Sequence, residues 1–377
     1  MVRLSRPSPV LFLCLFASQS GLLVLSPILP DIAREFGIST ATAGQLRSLS
    51  GAAGGLTAVL IALAPRRPGM RDLLSAGAAL VALGSALSAT APSFAVLAAA
   101  QGVLGVGIGL LVAVGIAAAG EWPDPRDRPH VLAWAIAGMP TAWIVGMPVV
   151  GAVAALDWRA AYLAVPAVVG LAALVLTRLR PDDPPSRRKR GRRPEVARFA
   201  AGELLANAAW ASQLTYSGAV LLGSYDISTA VAALGLALVA VAMLPGTFTA
   251  RRSAAKATPA LLMGLTAFQA GAVIVVMSVR PAVAFTLAAM AVMAFVNGWR
   301  SMIASAFGMD TAPEDKVAVM SMRAAANQFG YLLGAAVGGL AIAVGGFPAL
   351  GVTLAGMFLA GVLVHLVPDA EVVPEPV

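Results

Sequence analysis

The sequence predicts an all-α membrane protein: twelve transmembrane helices in two pseudo-symmetric six-helix halves. Three observations lead there: composition, the length of the apolar stretches, and a repeat across the middle of the chain. Of 377 residues, 59% are hydrophobic and 12% charged, where a soluble domain carries about a quarter charged residues. Mean hydropathy is +0.85. That much apolar surface needs a lipid solvent, and a backbone in hydrocarbon must be helical or a closed barrel. Barrel strands give alternating segments of about ten residues. Here the stretches are continuous, near twenty residues, and rich in Ala, Leu, Val and Gly, so they are helices.

Cutting at charge and turn clusters gives spans at 9–30, 41–64, 72–91, 94–119, 131–154, 160–178, 199–222, 229–249, 259–278, 281–306, 318–343 and 347–367. Most are about 20 residues, enough to cross about 30 Å at 1.5 Å per residue. The first is too long for a signal-peptide core, lacks a small-x-small cleavage site and is followed by many more spans. Its Cys14 is the single cysteine, so there is no disulfide framework.

Orientation follows from Lys and Arg. One side receives Arg3 and Arg6, Arg66 to Arg71, Arg126 and Arg128, the segment from Arg178 to Arg198, Arg251 to Lys256, and Lys316 with Arg323. The other receives Arg34, Arg159 and Arg280, with Arg47 just inside the second span. The basic side is cytoplasmic by the positive-inside rule, and an even number of spans puts both termini there. The net charge of +8 is spread over these short segments, which argues against nucleic acid as a partner.

Residues 179–198, rich in Pro, Arg and Lys, read as a flexible cytoplasmic linker between halves 1–178 and 199–377. Ile38-Ser39-Thr40-Ala41 recurs as Ile227-Ser228-Thr229-Ala230, and Pro92 and Pro281 share that offset. Gly146 and Gly151 recur as Gly334 and Gly339 one position short of it. Parallel six-helix repeats are a transporter architecture, with the substrate site at the repeat interface.

Ser20-Gly21, then Pro27-Ile28-Leu29-Pro30-Asp31-Ile32-Ala33, and Asp157-Trp158-Arg159-Ala160-Ala161-Tyr162 resemble the first helix and the start of the sixth in the twelve-span drug:proton antiporter branch of the major facilitator superfamily. Other motifs depart from that family. Leu63-Ala64-Pro65-Arg66-Arg67-Pro68-Gly69 has Pro65 where the loop between helices two and three carries an Asp. Gln101 stands where the fourth helix carries a proton-coupling Arg. The fifth-helix signature keeps Pro148 and Gly151 but has Met147 and Ala152 in place of glycines. The resemblance implies alternating access and a cavity lined by helices one, four, seven and ten; the departures leave proton coupling and direction open.

An ionisable group near mid-membrane costs about 2.5–3.5 kcal/mol on insertion scales and needs a partner, water or a function. Arg300, deep in the tenth span beside Asn297 and Trp299, either supplies the charge that Gln101 lacks, pairing with a carboxylate or an anionic substrate, or snorkels to the interface. Glu203 opens the seventh span, followed by Asn207, Trp210, Tyr216 and Ser217 on roughly one helix face. It reads as a protonatable switch, or as an acid favoured by the helix N-terminus near the headgroups. The polar-aromatic face after it suits an amphipathic substrate, or plain helix packing. Asp31 and Arg47 are expected to pair at the outer ends of helices one and two, as an outer gate or as a solvated pair worth under about 1 kcal/mol.

Gln19, Gln101, Gln213, Asn327 and Gln328 add uncharged hydrogen-bonding groups that face the cavity or join helices. Gly102, Gly105 and Gly109, like Gly330, Gly334 and Gly338, allow close helix contact. Neither His130 nor His365 has metal-binding companions, and no phosphate-binding Gly-x-x-x-x-Gly-Lys-Ser/Thr loop is present. No cofactor or enzymatic chemistry is expected. The sequence therefore predicts a monomeric, multi-pass secondary transporter of the bacterial plasma membrane, exporting a small amphipathic compound against protons. Two alternatives are an importer or uniporter, and a non-transporting receptor or enzyme on the same fold.

Overall fold

The apolar stretches fold as helices, since each backbone N–H and C=O must find its partner within its own segment. The computed structural model describes residues 7–366 apart from 39, 155, 182, 188–193 and 228. The chain termini, most of the basic run, and Ser39 and Ser228 of the repeated tetrapeptide lie outside the described residues, as do the side chains of Pro27, Pro30 and Met147.

The first helices are α1 (Pro7–Leu23), α2 (Leu25–Glu35), α3 (Thr40–Leu63), α4 (Met70–Ala89) and α5 (Phe94–Glu121). Next come α6 (Arg128–Thr141), α7 (Met147–Ala154), α8 (Trp158–Tyr162) and α9 (Val168–Arg178). Beyond the linker lie α10 (Pro194–Ser224), α11 (Thr229–Val241), α12 (Met243–Thr249), α13 (Arg251–Ala254), α14 (Pro259–Ser278), α15 (Val283–Thr311) and α16 (Lys316–Leu366).

Several of these join into longer rods across local breaks with a visible cause. A π-turn at Ala142–Gly146 follows Pro140, and another at Leu163–Ala167 contains Pro166. Proline lacks the N–H that closes an α-turn, so the helix widens around it. Inside α16 the backbone leaves the helix at Gly345 and Gly346, and Gly346 has φ +65°, a conformation open chiefly to glycine. That break falls between the predicted spans 318–343 and 347–367. Among the described residues, eight helical stretches are long and apolar enough to cross a membrane, with Pro7–Leu23 and Leu234–Thr249 as shorter apolar helices.

The arrangement of the apolar core is unequal at the two ends of the bundle. At the linker end one cluster draws on both sides of the linker: Val10, Leu11, Leu74 and Ala117 pack in the same core as Phe199, Met302, Met309 and Met320. Toward the other end the core divides. One cluster holds Leu23, Ile28, Leu46, Leu97 and Tyr162, all before the linker. The other holds Trp210, Val273, Met290, Leu354 and Phe358, all after it.

Polar contacts also join the two sides at the linker end. Arg67 pairs with Asp315, Lys316 Nζ lies 3.3 Å from the Gly120 carbonyl and 3.2 Å from Glu121, and Arg251 meets His130 Nδ1 at 3.0 Å. The linker is also more fixed than its composition predicts. Ser186 and Arg187 pair as an antiparallel strand with Arg66 and Arg67. Asp183 Oδ2 accepts from the Arg71 backbone N–H at 2.9 Å and from Trp122 Nε1 at 3.1 Å. The Arg180 guanidinium lies 4.0 Å from the centre of the Trp122 ring, within cation–π range.

Candidate functional site

Three helices meet around one carboxylate. Glu203 of α10 faces Arg300 of α15 and Arg323 of α16, with one carboxylate oxygen for each guanidinium. Arg300 Nη2 donates to Glu203 Oε1, and Arg323 Nε donates to Oε2 at 2.7 Å. Arg300 Nε also donates to Thr266 Oγ1 of α14 at 3.0 Å. Side-chain exposure is 0% for Glu203, 2% for Arg300 and 10% for Arg323. Burying charge costs several kcal/mol per ion and is sustained only by close pairing.

Two of the sequence candidates meet here: Arg300 pairs with the Glu203 carboxylate. Glu203 is not at a helix entrance: α10 begins at Pro194, so the carboxylate lies nine residues along it. The predicted start at 199 falls late because Glu195 and Arg198 interrupt the apolar pattern where the helix begins. Arg323, read from sequence as a charge of the cytoplasmic loop, is the third member of the cluster. A lone Arg in an apolar window signals burial, but Arg323 sits seven residues from Lys316 and so reads as one more loop charge.

Other candidates are placed as follows. Asp31 pairs with Arg34 at 2.9 Å, not with Arg47. Arg47 lies 5.8 Å from the Trp143 ring centre and within electrostatic reach of Tyr331. An arginine one helical turn away on its own helix wins Asp31, as i,i+3 neighbours do. Gln101 is buried in a hydrogen-bond set of its own, donating to Ser88 Oγ at 3.0 Å and to Tyr162 Oη at 3.1 Å. Gln19 accepts from Trp143 Nε1 at 3.2 Å, and Asn297 accepts from Gln269 at 3.2 Å.

On α10, Trp210 packs in the core of the C-terminal helices and the Tyr216 hydroxyl donates to the Ala335 carbonyl at 2.7 Å. Their surroundings are those of helix packing. Asn207, Gln213, Trp299 and Gln328 each hold a buried polar atom with no partner; Asn327 is half-buried. Pro148 is exposed and Gly151 has open space beside it. Trp158 Nε1 and Arg159 both bind Glu35, at 2.6 Å and 2.5 Å, around a surface cavity of about 400 Å³ that Asp31 and Arg34 also line. Among the described residues there is no grouping of His, Cys, Asp and Glu able to hold a metal.

A helical bundle with membrane-length apolar rods, a core divided at one end and an ion cluster enclosed among its helices defines a polytopic membrane transport protein. Residues 11–299 match the Major Facilitator Superfamily, and the chain belongs to that family, whose members are transporters and not enzymes. Two uncharacterized MFS-type transporters of Bacillus subtilis (strain 168), YbcL and YfhI, are 29% identical over 155 residues and 31% identical over 176. These stretches cover 41% and 44% of this chain, and only 39% and 43% of the relatives' own lengths. Among solved structures, the human organic anion transporter MFSD10 (TETRAN) superposes with TM-score 0.80 at 16% identity, over 97% of this chain and 100% of that one. The E. coli fucose:proton symporter FucP gives 0.71 at 15%, over 96% and 99%. At these identities the likeness is one of fold.

Proposed function

We propose that the chain is a proton-coupled exporter of a small amphipathic organic compound, working by alternating access between two six-helix halves, 1–178 and 199–377. In this reading twelve spans cross a bacterial plasma membrane, the linker and both termini are cytoplasmic, and the monomer is the working unit. The observation that carries it is the divided core: one apolar cluster joins the two sides at the linker end, and separate clusters serve each side at the other. That is the arrangement expected of a carrier closed at one face and parted at the opposite one.

Glu203 is the group we assign to the proton. Its two oxygens each hold one arginine, and a proton on either removes that acceptor and frees a guanidinium. Loading a proton and loosening the joint between α10, α15 and α16 thus become one event. Proteoliposomes with an imposed pH gradient and a lumenal pH dye, screened with amphipathic cations, anions and neutral compounds, test this. Substrate-dependent proton movement in the wild type, abolished in Glu203→Gln, is the expected outcome. Substrate flux with no proton movement would refute coupling.

A second reading, a uniporter or importer, draws on Gln101. Its side-chain amide is spent on Ser88 and Tyr162 inside the N-terminal helices, which leaves the fourth span with no charge to couple. Cells lacking the gene would then show reduced uptake of the solute rather than greater sensitivity to it.

A further inference from the structure

We propose that the Glu203–Arg300–Arg323 cluster binds the carboxylate of an organic monoanion, which takes up guanidinium N–H groups that Glu203 leaves unspent. The inference rests on the transporter reading above and names the substrate class that site accepts.

The first ground is charge. Two guanidiniums face one carboxylate, leaving one positive charge in a site where no member is more than 10% exposed. Among the described residues, the buried carboxylates are Glu203 and Asp315, and Asp315 is committed to Arg67 at the linker end. Among the described residues, then, no second buried acid neutralises the cluster. The nearby titratable groups, His365 and Arg198, bring no negative charge.

The second ground is an excess of donors. A guanidinium has five N–H donors and no acceptor. Arg300 spends Nε on Thr266 and Nη2 on Glu203. Arg323 spends Nε on Glu203 and reaches the Ser301 carbonyl with Nη2 at a long 3.5 Å. Nη1 of each makes no hydrogen bond to a described residue. On the same helices, Ser321 Oγ is fully buried without a partner, and so is Asn207 Nδ2, one turn along α10 from Glu203. Buried polar atoms without partners are rare in native structures, and these two lie on the helices that carry Glu203 and Arg323.

Net +1 matches a monoanion, and the planar fork of an arginine matches the two oxygens of a carboxylate. Phe199, Met302, Met320 and Ala324, close in sequence to the three charged residues, all belong to one apolar core, which suits an organic remainder better than a fully hydrated ion. Arg323, the more exposed arginine, is the one that offers its unspent N–H groups to the ligand.

The test uses the full chain in lipid nanodiscs, with benzoate, benzamide, benzylamine and chloride as probes at equal ionic strength and thermal unfolding as readout. Benzoate is expected to stabilise saturably and benzamide not, and Arg323→Gln to weaken benzoate at least about tenfold, as loss of a paired charge-assisted contact does. Arg323→Lys, which keeps charge but loses the fork, covers the case in which Arg323→Gln fails to fold, and is expected to weaken benzoate by less. Equal effects of benzoate and benzamide, or benzoate binding unchanged in the Arg323 variants, would overturn the proposal, and so would saturable chloride binding of the same strength. In the proteoliposome assay described above, run with the same probes, benzylamine flux by a protein that shows no benzoate binding in nanodiscs would sink the anion site and leave the transporter; benzoate binding without flux of any probe would do the reverse.

Discussion

Arg67 donates to the carboxylate of Asp315, 248 positions away, and joins the loop after α3 to the start of α16. Its Nε and Nη2 also bind the Ile61 and Ala62 carbonyls at 2.7 and 2.9 Å, so the guanidinium is fixed to α3 before it meets its partner. Side-chain exposure is 1% for Arg67 and 7% for Asp315. Removing one partner of a buried pair costs about 3–5 kcal/mol, because the other charge stays buried. Asp315→Asn is therefore expected to open the linker end. Hydrogen exchange read by mass spectrometry should accelerate at residues 61–71 and 309–320 relative to the far end of the bundle. Unchanged exchange there would show that the apolar cluster alone keeps this end closed.

Asp183 serves as a helix cap supplied from the linker. The cap position of α4 is Gly69, which has no side chain to offer, and Asp183 accepts from the N–H two residues on, at Arg71. A Cβ at Gly69 would run into the Asp183 carbonyl, so the glycine and the distant aspartate are one device. Loss of a capping side chain costs about 1 kcal/mol. Asp183→Ala should thus release the linker strand, and trypsin should cut after Arg187 roughly fivefold faster, the population change that 1 kcal/mol represents. A cleavage rate equal to wild type would mean the Trp122 stacking and strand pairing hold the linker without the cap.

Glu35 provides a pH signature at the far end. Its hydrogen bond from Arg159 holds its carboxyl below the usual carboxylate range, with Trp158 adding a second donor. A depressed folded-state pKa stabilises the fold above the unfolded value, near 4.3 for Glu, and the benefit fades as pH falls through the folded one. The pair is partly open to solvent, with the Glu35 side chain 41% exposed, so its worth is under about 1 kcal/mol. The Tm difference between wild type and Glu35→Gln should be constant from pH 7 to 5 and shrink in more acidic buffer. A difference that grows on acidification would contradict the assignment.

How much of this was legible depends on what each residue's neighbours in sequence conceal. Glu203 and Arg300 stand out because an ion inside an apolar window needs a partner, and each turns out to be the other's. Arg323 does not stand out, since Lys316 and the loop acids before it make the same arginine look like topology signal. The break inside α16 is visible as Gly345-Gly346 ahead of Pro348. The pairing of Arg66 and Arg67 with Ser186 and Arg187 is not visible, because a two-residue strand has no period to detect. Its neighbours, all Pro and Arg, look like those of any solvated linker. The expected Asp31–Arg47 pair failed for a related reason: family position brings two helix ends close, but a nearer arginine on the same helix decides which one binds.

The glycines of α5 separate packing from propensity. A Cβ at Gly105 would meet the Ser50 backbone and one at Gly109 the Gly54 backbone, both on α3, whereas Gly102 has nothing within 4 Å. Glycine in a helix interior is about 0.5–1 kcal/mol worse than alanine where nothing is touching it. Overpacking a closed contact costs about 1–3 kcal/mol. Gly102→Ala should therefore raise the unfolding temperature, while Gly105→Ala and Gly109→Ala lower it, on the same helix and within two turns. If the proposed alternating access requires α3 and α5 to move as one body, the two damaging changes should lower stability without altering which end of the bundle exchanges hydrogen faster. A reversal of that pattern in Gly109→Ala would place a moving joint between α3 and α5, and the boundary of the rigid unit would have to be redrawn.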